Sequence, residues 1–177
     1  DKIYSVPSLL MLSATPIPRT LALTAFGDLD ISIIKTMPTG RLPIKTYLTR
    51  MGNESNVYEF VRNEIKQGHQ AYFVYPLIED MEETDMQEMS SGIKSAEEMF
   101  TFLSEQVYPQ FKLALIHSKT EESEQPKILD DFRNGNIDIL VATSVVEVGV
   151  DVPNATCMVI EHADRFGLAA LHQLRGR

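Results

Sequence analysis

Two continuous apolar runs in the last third of the chain constrain the fold most strongly. Residues Ile137 to Thr143 read IDILVAT, and residues Cys157 to Glu161 read CMVIE. A strand with one face in water alternates apolar and polar residues, whereas a strand buried on both faces of a parallel sheet is apolar almost throughout. The two runs therefore predict strands of a buried parallel sheet.

Strand-like and helix-like segments alternate along the chain from residue 44 onward. Alternating strands and helices with buried strands are typical of a doubly wound α/β domain, which has helices on both faces of a parallel sheet. The further strand candidates are Ile44–Thr49, Ala71–Pro76 and Leu113–His117; the helix candidates are Glu54–Lys66, a segment opened by Ser95-x-x-Glu98 with Ala96, Met99, Leu103 and Val107 on one face, and a segment with Ile128, Leu129 and Phe132 on one face.

Local signals mark the ends of these helices. Glu54 lies in the first turn of one helix candidate and Gly68 follows its end, while Gly135 follows the third candidate. Glycine is frequent just past a helix end because it adopts a left-handed backbone without steric cost. Pro126 is tolerated only in a first turn, so the third helix is expected to start near Ser123.

Composition describes an ordinary globular domain of 177 residues with an apolar fraction of 44% and a charged fraction of 23%. That length fits one core domain with appended segments. The longest apolar runs are as short as strands, so no membrane partner is expected. The single cysteine, Cys157, cannot form an internal disulfide and is expected to be an inert buried thiol, which suits a reducing cytoplasm.

The charge of the chain limits how it can contact nucleic acid. The formal net charge is −9, whereas free-standing nucleic-acid binders usually carry a basic patch or a high pI. Acidic residues cluster between Glu79 and Glu88 and between Glu121 and Glu124. Any contact with DNA must therefore come from a few well-placed groups rather than from the overall field.

Polar residues follow the strand candidates at the ends where parallel α/β domains bind ligands. His117 ends one strand candidate, and Thr143 and Ser144 end another. Hydroxyl and backbone N–H groups suit phosphate oxygens, but Thr143 and Ser144 are equally suited to capping a helix. Asp151 is also consistent with an ordinary carboxylate in a loop. The arginines Arg175 and Arg177 are also consistent with ordinary surface residues.

Three motifs occur in a fixed order and carry a resemblance to a known family. They are Ser13-Ala14-Thr15-Pro16-Ile17-Pro18-Arg19-Thr20; the segment from Ala142 to Ala155, ATSVVEVGVDVPNA; and the segment from Phe166 to Arg177, FGLAALHQLRGR. They resemble motifs III, V and VI of superfamily 2 helicases. The phosphate-binding loop G-x-x-x-x-G-K-[ST] does not occur in the sequence.

The resemblance implies a RecA-like fold, the P-loop NTPase fold, in the form of the second lobe of a helicase. Residues 1–36 would be the C-terminal tail of the first RecA-like lobe, and residues 37–43 the linker between lobes. Residues 44–177 would be the second lobe, truncated in motif VI. The expectation is that the chain is a piece of a longer protein and, alone, neither hydrolyses ATP nor unwinds DNA.

The resemblance also assigns roles to individual residues. Ser13, Ala14 and Thr15 would couple the nucleotide state to lobe movement. His117, Lys119, Thr143 and Ser144 would lie near the DNA backbone. Gly149 and Asp151 would face the nucleotide across the cleft. Gln173 and Arg177 would be catalytic, with Arg177 reaching the phosphates of ATP held by the other lobe.

Two departures from the family pattern affect these roles. The family's motif VI reads Gln-x-x-Gly-Arg-x-Gly-Arg, and the sequence ends at Arg177, before the second arginine. Family members commonly have glycine after the histidine that corresponds to His117, whereas Ser118 and Lys119 follow here. The resemblance therefore does not carry the family's backbone contact to DNA over to this loop, although Lys119 can still meet a phosphate.

The activity implied by the resemblance is that of an ATP-dependent DNA helicase or translocase. Within the superfamily, residues Met37–Pro43 and Val74–Asp80 favour the bacterial enzymes that remodel stalled forks and Holliday junctions. The transcription-repair coupling factor is the alternative that shares several motifs. The implied cofactors are ATP and Mg²⁺, bound mainly by the first lobe. The implied partners are branched or double-stranded DNA, the first lobe, a wedge domain and a single-stranded-DNA-binding protein.

The implied location is the bacterial cytoplasm, at the nucleoid. A non-enzymatic α/β adaptor that binds proteins through its acidic face is a further hypothesis, favoured by the net charge of −9 and by the missing phosphate-binding loop. The abrupt end of the sequence inside motif VI disfavours it.

Overall fold

The computed structural model describes residues 32, 34, 43–50, 52–76, 96–143 and 152–176. Residues 46–175 form one compact unit. Its elements in chain order are α1 (Glu54–Lys66), β1 (Gln70–Tyr75), α2 (residues 96–102, continuing as a π-helical turn, Leu103–Val107), β2 (Leu113–Ile116), α3 (Gln125–Arg133), β3 (Ile139–Thr143), β4 (Ala155–Ile160), a 3₁₀ turn (Ala163–Arg165) and α4 (Leu168–Arg175).

The four described strands form one parallel sheet in the order β2-β3-β1-β4. β3 is in register with both of its neighbours, through the partners Tyr75 and Thr143 on one side and Ile116 and Ala142 on the other. β1 also pairs with β4. Every strand therefore begins at one edge of the sheet and ends at the other, which confirms the prediction of a parallel α/β domain.

Helices cover both faces of the sheet, as predicted. On one face, α1 and α2 contribute Val61 and Leu103 to a core around Phe73. On the other face, α3 contributes Phe132 to a core with Leu140. Alternate residues of β3 point to opposite faces, so the same strand serves both cores. Full burial of a phenylalanine such as Phe73 or Phe132 contributes about 2–3 kcal/mol to stability.

The strand predictions were correct for the centre of the sheet and less so for its edges. All five residues of β3 are buried, as the apolar run predicted. β4 is only half-buried because it is an edge strand of the described sheet. The predicted strand Ile44–Thr49 was wrong: residues 43–50 have neither helix nor strand, and Leu48 is 92% exposed. A short segment with no neighbouring strand has no backbone ladder to hold it extended.

The helix ends follow the local signals closely. α1 has the predicted bounds, and Gly68 after it has a φ of +91°. Gly135 after α3 has a φ of +76°, also in the left-handed region. α3 begins at Gln125, two residues after the predicted start, with Pro126 in its first turn. The predicted face of α2 is confirmed, although its end is a π-helical turn; the predicted cap Ser95 lies outside the described residues.

A polar network ties the strands together at their amino ends. The Gln70 side chain is 3% exposed, and its amide Nε2 donates to the carbonyls of Phe132 and Ile137 at 2.5 and 2.7 Å. Its Oε1 accepts a hydrogen bond from Asn154 Nδ2 at 3.2 Å. Asp138 Oδ2 accepts from the backbone N–H of Lys112 at 2.7 Å. The starts of all four strands are therefore joined by side-chain hydrogen bonds.

Candidate functional site

The carboxyl ends of the four strands bring polar residues together at one edge of the sheet. His117 directly follows Ile116, the register partner of Ala142, so it lies beside Thr143. Tyr75 is the register partner of Thr143 on the other side. Glu161 follows β4, and its backbone N–H donates to the Val74 carbonyl at 2.9 Å. This edge is where parallel α/β domains bind their ligands.

His117 opens a tight turn that ends at Thr120. The backbone N–H of Thr120 donates to the His117 carbonyl at 2.9 Å, and the backbone N–H of His117 donates to Thr120 Oγ1 at 3.0 Å. Inside this turn, the backbone N–H of Lys119 donates to His117 Nδ1 at 3.1 Å. Turn 117–120 is thus closed by its own side chains as well as by its backbone.

Two helices hold this turn from outside. Gln125, the first residue of α3, donates from Nε2 to the Thr120 carbonyl at 3.0 Å. Glu97 in α2 places Oε1 3.5 Å from His117 Nε2. The imidazole is 14% exposed, whereas the Glu97 side chain is 53% exposed. The His117 ring therefore lies between the turn and α2, with the Lys119 N–H at Nδ1 and the Glu97 carboxylate 3.5 Å from Nε2.

Ser118 and Lys119 form the exposed corner of the turn. Ser118 is not in the left-handed region, so the backbone here does not require the glycine that is common in the family. The Lys119 ammonium makes no ion pair with another described residue. A free cation at the tip of a fixed turn is suited to a phosphate group.

Thr143 and Tyr75 present buried hydroxyls beneath this edge. Thr143 is fully buried and Tyr75 is 3% exposed. Neither Thr143 Oγ1 nor Tyr75 Oη has a hydrogen-bond partner among the residues that the structure describes. In this arrangement the Thr143 side chain is enclosed, so a ligand in the solvent reaches Lys119 more readily than Thr143.

Glu161 adds a half-buried carboxyl group at the end of β4. Burial raises the pKa of Glu161, while the nearby His162 partly lowers it. Burial also raises the pKa of the Tyr75 hydroxyl, and the Glu161 charge raises it further. His162 has a left-handed backbone, with φ at +49°, which is uncommon for a residue with a side chain.

The motif VI segment forms α4, which follows the 3₁₀ turn after β4. Gln173 and Arg175 are exposed on this helix, whereas Leu174 between them is buried. Gln173 is therefore available to a group outside the domain. The remaining predicted site residues lie outside the described residues: Ser13, Ala14, Thr15, Ser144, Gly149, Asp151 and Arg177.

Sequence reasoning missed Glu97, Gln125, Tyr75 and Glu161 as parts of this edge. Glu97 is 20 positions from His117 in sequence and meets it only through the packing of α2 against the sheet. Gln125 was not recognised because the signal beside it, Pro126, indicated only where the helix starts. Glu161 had a usable signal, because a carboxyl group directly after a buried strand must lie at its carboxyl end.

Within the described ranges, three features bear on metal binding, membrane insertion and thiol reactivity. Between residues 43 and 176, with the gaps given above, no group of three histidine, cysteine, aspartate or glutamate residues is arranged to hold a metal ion. None of the helices in those ranges has both the length and the apolar character needed to cross a membrane. Burial raises the pKa of the half-buried Cys157 thiol to about 11, as expected of an inert cysteine.

The fold and the motifs define a domain class that comparison with known proteins confirms. The family model described as helicase conserved C-terminal domain matches residues 55–177. The chain therefore belongs to the helicase C-terminal domain family, and the predicted RecA-like α/β fold is confirmed.

Within that class, the motifs resemble those of the helicase RecG in particular. The RecG proteins that are similar in sequence to this chain confirm the resemblance. The ATP-dependent DNA helicase RecG of Treponema pallidum is 58% identical over 171 residues, covering 97% of this chain. The RecG of Borreliella burgdorferi is 52% identical over 96% of this chain. The chain spans 24% of the length of each of these relatives.

A solved structure shows the same similarity. The structure of RecG bound to a three-way DNA junction matches 93% of this chain with a TM-score of 0.69 and 48% sequence identity. The match covers 20% of that RecG chain. A level of identity near one half supports similarity in local detail as well as in fold.

Proposed function

We propose that this chain is the second motor lobe of an ATP-dependent DNA helicase of the RecG type, which remodels branched DNA such as stalled forks and Holliday junctions. The observation that carries the proposal is the 58% identity to a RecG helicase over 97% of the chain. Residues 1–36 would complete the first RecA-like lobe, residues 37–43 would link the lobes, and residues 44–177 would belong to the second lobe.

In this proposal the second lobe contributes residues to two surfaces. Lys119 in turn 117–120 contacts a phosphate of the DNA backbone, with Thr143 and Ser144 close by. Gln173, Gly149, Asp151 and Arg177 face the nucleotide held by the other lobe, and Arg177 stabilises charge on its phosphates. MgATP, bound mainly by the first lobe, supplies the free energy of translocation. Ser13, Ala14 and Thr15 couple the two surfaces.

The partners in this proposal are branched or double-stranded DNA, the first RecA-like lobe and a wedge domain. A single-stranded-DNA-binding protein is a further partner at stalled forks. The parent protein would act in the bacterial cytoplasm, at the nucleoid. The described lobe has no phosphate-binding loop in its sequence, so the 177-residue chain alone is expected to be inactive.

The DNA-stimulated ATPase of the full-length parent protein tests the proposal. Arg177→Ala is expected to lower kcat by about 10²-fold or more, because the site loses a cation at the developing phosphate charge. The matched control is Arg165→Ala, which removes an exposed arginine of the 3₁₀ turn and should leave kcat within about twofold. A parent protein without DNA-stimulated ATPase activity would refute the helicase proposal and favour the adaptor hypothesis.

A further inference from the structure

We propose that Glu97 and His117 are positioning residues, which hold turn 117–120 so that the Lys119 ammonium meets a phosphate of the DNA backbone. The inference rests on the proposed function, since it concerns how the same lobe contacts DNA. It differs from the reading of His117 as a direct DNA contact, because both ring nitrogens already face groups of this chain.

The hydrogen bond at Nδ1 fixes the position of the proton on the neutral His117 ring. The backbone N–H of Lys119 points at Nδ1 from 3.1 Å, and a backbone N–H can only donate. Nδ1 must therefore accept, so the proton of the neutral ring is on Nε2. That nitrogen faces Glu97 Oε1 at 3.5 Å. The carboxylate thus favours the one tautomer that keeps the turn closed.

Without the Glu97 carboxylate, nothing on α2 favours this tautomer of His117 over the other. The alternative tautomer carries its proton on Nδ1, which would then face the Lys119 N–H, one donor against another. That arrangement breaks the bond from the Lys119 N–H and leaves Thr120 Oγ1, 3.4 Å from Nδ1, as the acceptor for the ring, which loosens the backbone of the turn at Lys119. The turn would retain its ties through Thr120 and Gln125, so the lobe would still fold.

The negative charge of Glu97 acts against DNA binding. A carboxylate near a phosphate-binding turn repels the phosphate, so electrostatics alone predicts that removing the Glu97 charge strengthens DNA binding. The Glu97 side chain is 53% exposed, so its contact with His117 contributes little to stability. Neither the charge of Glu97 nor its contribution to stability therefore favours DNA binding. The favourable effect of Glu97 is to orient the His117 ring.

Two substitutions of Glu97 separate the effect of its charge from its effect on the orientation of the His117 ring. Glu97→Gln and Glu97→Ala remove the same charge, but only Gln keeps an oxygen able to accept from the ring. In the full-length parent protein, Glu97→Ala is expected to bind a labelled three-way junction about threefold to tenfold more weakly than Glu97→Gln does. The control pair, Glu105→Gln and Glu105→Ala, changes an exposed residue of the same helix and should give equal affinities.

Lys119→Ala tests whether the difference in DNA affinity between the two Glu97 variants arises from a phosphate contact. It is expected to weaken binding across all DNA sequences and to lower the slope of log K against log salt by about 0.9, the effect of one lost phosphate contact. In the Lys119→Ala background, the two Glu97 variants should bind DNA equally. Glu97→Ala alone should shift the salt slope towards that of Lys119→Ala.

The outcomes distinguish the inference from the proposed function. Equal affinities for the two Glu97 variants, with a clear loss for Lys119→Ala, would overturn the positioning role and leave the DNA contact in place. A parent protein that binds junction DNA regardless of Lys119 would overturn the inference while its ATPase activity still supports a helicase. Melting temperatures of the Glu97 variants close to that of the parent show that folding is not the cause.

Discussion

Tyr75 and Thr143 are register partners at the ends of β1 and β3, and each ends in a buried hydroxyl without a hydrogen-bond partner among the described residues. A buried polar group left unpaired costs about 1–3 kcal/mol. Two neighbouring unpaired groups at this end of the sheet therefore reduce stability locally. The described core, by contrast, is apolar on both faces of the sheet.

Removal of the Tyr75 hydroxyl is expected to stabilise the domain. Tyr75→Phe deletes the unpaired oxygen and keeps the buried ring, so the free energy of unfolding should rise by about 1 kcal/mol. Tyr108→Phe is the matched comparison, because Tyr108 Oη donates to the Tyr58 carbonyl at 3.1 Å. That change should lower the free energy of unfolding by about 1 kcal/mol.

Urea unfolding of the 177-residue chain measures both changes. Opposite signs for the two tyrosines are the expected result. A loss of stability in Tyr75→Phe as large as that in Tyr108→Phe would mean that the Tyr75 hydroxyl has a partner in solution.

Gln70 should be among the polar residues most sensitive to substitution. Gln70→Leu keeps most of the side-chain volume but leaves the carbonyls of Phe132 and Ile137 without the Nε2 donor. We expect the free energy of unfolding to fall by about 2–4 kcal/mol, measured by urea denaturation. Gln67→Leu is the control, since the Gln67 side chain is exposed and donates to the Asn63 carbonyl within the same helix end; a comparable loss there would argue against the network.

Glu161 should make stability depend on pH. Folding raises the Glu161 pKa above its ordinary value of 4.5, chiefly through burial. Between the unfolded and folded pKa values the folded chain binds more protons, so the free energy of unfolding falls as pH rises through that interval. Glu161→Gln should therefore stabilise the chain at pH 7, and this gain should disappear below about pH 4.5.

Glu54→Gln provides a comparison of opposite sign. The Gly52 N–H donates to Glu54 Oε1 at 2.9 Å and lowers the pKa of that carboxyl. This hydrogen bond contributes to the free energy of unfolding at pH values above the ordinary pKa of the carboxyl group. The contribution is lost as pH falls through the folded pKa. Urea midpoints measured from pH 3 to 8 should show a gain for Glu161→Gln and a small loss for Glu54→Gln at neutral pH. Parallel pH curves for parent and Glu161→Gln would contradict the first expectation.

Sequence alone predicted the centre of this fold because the decisive signals there are local. The apolar run ending at Thr143 indicated a doubly buried strand, and Gly68 and Gly135 marked helix ends that the structure confirms. The segment Ile44–Thr49 also contains residue types common in strands, such as Ile44 and Tyr47, but it is exposed. Pattern alone cannot tell whether a neighbouring strand is present to pair with a segment.

The candidate site was predictable only in part, for the same physical reason. His117 and Lys119 follow a strand directly, so their position at the edge could be inferred from the chain. Glu97 and Gln125 reach the same turn from two separate helices. Their positions depend on how those helices pack, which requires the assembled cores on both faces. The roles of Gln173 and Arg177 remain predictions from motif resemblance.

The network around Gln70 also has a consequence for how this lobe can change over evolution. It fastens the strands at their amino ends, on the side of the sheet opposite turn 117–120. Replacements at Ser118 or Lys119 therefore change the exposed corner of that turn while leaving the fastening intact. A domain built this way can vary the surface at one end of its sheet by small steps, each of which still yields a folded protein.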